Sequence, residues 1–164
     1  MNQADPSAKA ELRAFFIAQL NLLYCAKCHL TERLTELQED NNFGDLQLAM
    51  SKTTAEVSNE ISILDMIYKL LGADYTFDNC GVLIEQIEDI FSFIRHCPDN
   101  PLLRDLSILY YMRCIKNVEL TSSKILQIAA EKLKSKQINR LLKKSFFHPV
   151  ESWNLADTIS LRYA

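Results

Sequence analysis

Cys25-Ala26-Lys27-Cys28-His29 has the CxxCH spacing of c-type haem attachment, in which two thiols bond the porphyrin and the imidazole takes the iron. The same three side chains are zinc-ligand types, but no second Cys or His pair lies nearby in sequence to complete a site. Both readings meet a simpler one. The segment falls inside a long helical pattern with no export signal ahead of it. A three-residue spacing makes Cys25 and Cys28 neighbours on one helix, where small, soft side chains pack. The sequence therefore predicts free, structural thiols and no haem. His96-Cys97, just before Pro98, reads as a helix end rather than a site.

A second chemical feature is charge. Between Lys124 and Lys144 stand seven basic residues and one acidic one, and Lys132, Lys136, Arg140 and Lys144 recur every fourth position as a possible stripe. No aromatic or base-reading pattern accompanies them, so a solvated helix face is expected and no nucleic-acid partner. The chain as a whole is slightly acidic, with a formal charge of −3. Gly-rich phosphate loops, Ser/His/Asp arrangements and nucleophile elbows are absent from the sequence.

The elements that must carry these residues follow from the breakers. Three Gly and four Pro in 164 residues are too few for the turns of an all-β chain, and they cluster, so the segments between them are long. Apolar positions at threes and fours (Leu12, Phe16, Leu23, Ala26, Leu30, Leu34, Leu37) predict a helix over about 6–40, opened by Asp5-Pro6. Asn41-Asn42-Phe43-Gly44 ends it, and Asp45 is the expected cap of a second helix over 45–71 that Gly72 terminates. A crossing loop precedes a shorter helix over 80–95; Pro98-Asp99-Asn100-Pro101 breaks the chain; helices over 102–133 and 136–162 follow, the last interrupted at Pro149. No run of about 18 apolar residues exists, so no membrane span is expected. Five cysteines without a compact framework, and no secretory signal at the N-terminus, predict reduced thiols in the cytoplasm.

Two antiparallel pairs of long helices, joined by a long crossover that holds an extra short helix, describe one all-α domain over 1–164. That is the ferritin-like four-helix arrangement. The chain resembles the YciE/YciF group of bacterial ferritin-like proteins from about Glu11 to Leu161. The likeness rests on QLNLLYCAKCHLTERL, EISILDMIYKLLG, NCGVLIEQIEDIF, LLRDLSILYYMRCIKNVE and RLLKKSFF in this order and spacing.

The resemblance implies a core able to hold a pair of iron or manganese ions through carboxylates of several helices. Glu56 matches one such carboxylate, Glu60 stands a turn on, Glu119 matches the first of a pair whose second is Ser122 here, and His148 is the remaining ligand candidate near the chain's end. Relatives of this type lack the CxxCH segment, and where they place an inward Glu in the first helix this chain has Lys27. An ammonium repels a metal ion. Helix spacing sets Lys27 beside the Ala26–Leu30 stripe, Glu60 among Val57, Ile61 and Leu64, and Glu119 beside Val118. The expectation is that Lys27 replaces the metal as the counter-charge of buried carboxylates, so that no cofactor is bound. The leading expectation is a stress-associated, non-catalytic bundle acting as a homodimer, as the resemblance implies; Phe43, Phe146, Phe147 and Trp153 are candidate anchors, with core packing the default for each. The alternative is a di-metal carboxylate protein handling iron or peroxide.

Overall fold

A computed structural model describes residues 6–97, 99–146 and 154–164. Six α-helices and one 3-10 turn make up the described residues, with no strand: α1 (Pro6–Gln38), the turn (Asn41–Leu46), α2 (Gln47–Leu71), α3 (Gly81–His96), α4 (Pro101–Lys132), α5 (Lys136–Phe146) and α6 (Asn154–Arg162). The chain is all-α. No described helix is long and apolar enough to cross a membrane.

The stop signals act where the backbone needs them. Gly72 takes the left-handed conformation (φ 58°) that a Cβ disfavours, and the Gly72 and Ala73 amides donate to Lys69 and Tyr68, closing the last turn of α2. Asn100 accepts from the Leu103 amide at 3.2 Å, with Pro101 behind it, and so starts α4. Asp45 does not cap α2. Asp40 accepts from the Asn42 amide to open the 3-10 turn, and Asp45 is left to pair with arginines. The last helical stretch is two helices; Phe147, His148, Pro149 and Trp153 lie outside the described residues.

α1 packs against α2 and α4, α3 against α4 and α1, and both α5 and α6 against α2 and α4. Arg13 near the start of α1 donates to the Leu71 carbonyl at the end of α2, while Gln47 at the start of α2 donates to the Gln38 carbonyl. Those two bonds make α1 and α2 antiparallel. The expected stripes are the core: Phe16, Leu23, Leu30 and Leu34 on α1, Met50, Val57 and Leu64 on α2, and Ile108, Tyr111 and Ile115 on α4 are all buried. Each such side chain contributes roughly 1.5–3 kcal/mol by leaving water.

The buried core falls into two clusters, which half-buried Ile61 of α2 bridges. One apolar cluster holds Leu30, Val57, Phe91, Ile108, Tyr111 and Ile115; another holds Phe16, Leu20, Leu23, Leu64, Tyr68 and Leu126. Lys27, Glu60 and Glu119 fall between the two on their respective helices. Phe43 is no surface anchor: it is 2% exposed, inside the first cluster, with the Arg104 guanidinium 5.6 Å above its ring. The reason is the 3-10 turn, which packs on α1 and α2 and folds Phe43 and Leu46 inward.

Candidate functional site

Lys27 sits mid-way along α1 with its side chain fully enclosed. Its Nζ donates to Glu60 of α2 in a very close contact and to Glu119 Oε2 of α4 at 3.1 Å. Lys116, one turn before Glu119, donates to the other carboxylate oxygen at 2.7 Å. The Phe146 ring of α5 lies 5.2 Å from the Lys27 ammonium, within the range of a cation–π contact. Four charged groups from three helices thus form a layer with two cations and two carboxylates. Buried Ser122 and Ser123 lie on the next turn of α4.

Burial raises the Glu60 carboxyl above its usual range, and the Glu119 charge adds to this, while the Lys27 ammonium pulls it down. The net direction is upward. Desolvation outweighs the attraction, as is common for an enclosed ion pair.

Of the residues singled out as metal ligands, Glu60 and Glu119 come together. Glu56 does not join them: its Oε1 accepts from Asn154 Nδ2 at 2.6 Å and, with Thr53, docks the start of α6 on α2. His148 lies outside the described residues. Two carboxylates clamped on an ammonium do not fit a di-metal centre, which needs several free oxygen ligands against about four positive charges. Among the described residues no group of three His, Cys, Asp or Glu side chains is placed to hold a metal ion.

The CxxCH segment packs into the molecule. His29 is buried, with Nδ1 2.7 Å from the Tyr111 hydroxyl and Nε2 2.8 Å from Glu88 Oε2, so both ring nitrogens are engaged. Burial holds its pKa below the ordinary value, keeping the imidazole neutral. Burial and a hydrogen bond with Cys80 push the Cys25 thiol up to about 12; burial and the charge of Asp65 push Cys28 up to about 11. Protonated, enclosed thiols are poor nucleophiles and poor ligands. A thiol reagent should label the folded protein slowly at Cys25 and Cys80, and all five cysteines should titrate after anaerobic unfolding. A haem absorption band surviving denaturation would contradict this.

The basic run does not form the full stripe that its spacing left possible. Lys132 ends α4, and Lys134 turns the chain with φ 56°, so Lys132 does not continue the Lys136, Arg140 and Lys144 face of α5.

Two networks have no sequence signal of this kind. Buried Arg104 donates to Asp105 Oδ1 at 2.8 Å, to Asp45 and to the Asn42 carbonyl; Arg162 and the Tyr163 hydroxyl donate to Asp105 Oδ2 at 2.8 and 3.0 Å. Glu88 gathers His29, Arg33 and Arg95, joining α3 to α1. Most of these partners lie 55 to 62 positions apart and leave no local pattern to read.

No curated protein and no solved structure gives a significant match. A family model described as a domain of unknown function, DUF892, matches residues 11–147, the stretch that carries Lys27, Glu60 and Glu119, and the chain belongs to that family.

Proposed function

We propose that the chain is a ferritin-like helical bundle of the YciE/YciF type that acts without catalysis, by association as a stress-linked homodimer. In this reading α5 and α6 together supply the fourth helix, and α3 is the extra helix of the crossover between α2 and α4. One observation carries it: Lys27 occupies the space between Glu60 and Glu119 that a metal would need. The bundle then keeps the carboxylates of a metal protein but neutralises them with its own side chain. Convergence of two carboxylates from α2 and α4 favours the alternative, a di-metal carboxylate protein handling iron or peroxide, over any other enzymatic reading.

Elemental analysis of protein purified without a metal-binding tag separates the two. We expect far less than one iron, manganese or zinc per chain. Stoichiometric metal that survives dialysis against a chelator would overturn the proposal in favour of the alternative.

A further inference from the structure

Two exposed features of opposite sign flank the last two turns of α2. On the α5 side is an open groove of about 590 Å³ lined by Met66, Leu70 and Leu141 and by the cations Lys69, Arg140 and Lys144. Its one other lining residue is Gln137, so the groove holds no acidic group. Met66 and Leu70 are nearly half exposed. An apolar floor ringed by cations suits an anionic segment that also carries apolar side chains.

On the α1 side runs the loop over 73–79. Tyr75 and Phe77 are 48% and 52% exposed, and Asp74 and Asp78, both exposed, bracket them. The loop packs on the bundle through its rings. Tyr75 stacks on Tyr24 of α1 at 4.7 Å, and Phe77 packs edge-on against Tyr75 at 5.4 Å. Rigid aromatics lose little entropy on binding and are frequent interface anchors. Stacking on Tyr24 holds the loop on the α1 side, away from its own groove between α2 and α5.

We propose that this end of α2 is a self-recognition surface: in a two-fold dimer, the Asp74–Asp78 loop of each copy enters the cationic groove of the other. Because loop and groove adjoin the same two turns of α2, one two-fold axis makes both contacts at once, a closed isologous pairing. The proposal rests on the homodimer reading above and supplies its surface.

Charge exchange tests it. One variant carries Arg140→Glu and Lys144→Glu; a second carries Asp74→Lys and Asp78→Lys. All four positions are exposed, and circular dichroism checks that both variants fold. By sedimentation equilibrium, wild type should dimerise and weaken as salt rises from about 150 to 500 mM. Each variant alone should dimerise at least about a hundredfold more weakly, because like charges then face each other. An equimolar mixture should recover a heterodimer, since both contacts regain opposite signs. If a reversed variant fails to fold, Asp74→Asn with Asp78→Asn replaces it, with dimerisation expected about tenfold weaker and less salt-dependent. A monomeric wild type would overturn both this surface and the homodimer reading. A dimer indifferent to the substitutions, or a mixture that does not recover, would overturn this surface alone.

Discussion

Lys27→Met should destabilise the protein by about 3–5 kcal/mol near neutral pH, the usual cost of breaking an enclosed ion pair by removing one partner. The substitution preserves volume, so a cavity does not explain the loss. What remains is two carboxylates, Glu60 and Glu119, facing each other with Lys116 bonded to only one of them. The pH dependence has a definite sign. Glu60 already titrates above its ordinary 4.5 in the folded protein, because burial disfavours its charge. A carboxyl raised in this way favours folding at acid pH, and that contribution is lost as pH rises through the folded pKa. Removing Lys27 removes the largest influence that lowers this pKa and leaves the weaker pull of Lys116. The cost of the substitution should therefore be largest above the folded pKa and shrink as pH falls toward 4.5. Lys27→Glu should be worse still without metal. Added Mn²⁺ or Fe²⁺ should partly restore its melting temperature, because three carboxylates then converge where two had met an ammonium. A neutral Lys27→Met would refute the counter-charge role outright.

Asp105→Ala should cost about 2–4 kcal/mol. Asp105 is fully buried and accepts from Arg104, Arg162 and Tyr163, so truncation leaves a buried guanidinium with Asp45 as its remaining carboxylate. The loss should come with early release of α6, whose Arg162 is tied here. Arg162→Ala, which removes a half-exposed partner, should cost far less. Thermal unfolding with hydrogen exchange at α6 measures both. Equal losses from the two substitutions would show that the buried Arg104 does not depend on Asp105.

The sequence revealed what repeats along a helix. Leu23, Leu30 and Leu34 show an inward face by spacing alone, and Lys27 inherits its direction from Ala26 and Leu30 beside it. Glu60 and Glu119 were legible for the same reason. Asp45 was misread as a helix cap because its local context resembles one, whereas its partners Arg104 and Arg162 are 59 and 117 positions away. Phe43 takes the core place that is the default for an aromatic, and the path of the 3-10 turn is what brings it there. Lys132 fits a four-residue interval whose helix ends before the next member. Periodicity transmits facing direction but not which distant groups meet.

The charged layer between the two apolar clusters also governs which alignments of the helices are allowed. Leucines can slide past leucines at modest cost, so a purely apolar bundle tolerates neighbouring registers. Here, slipping α1 by one turn would push the Lys27 ammonium in among Leu30-level or Leu23-level hydrocarbon and strand Glu60 and Glu119 opposite each other. One polar level in an apolar stack acts as an index mark, much as a single buried Asn sets the register of a coiled coil. In the proposed reading, where Lys27 stands in for a metal, the chain's own side chains set this alignment.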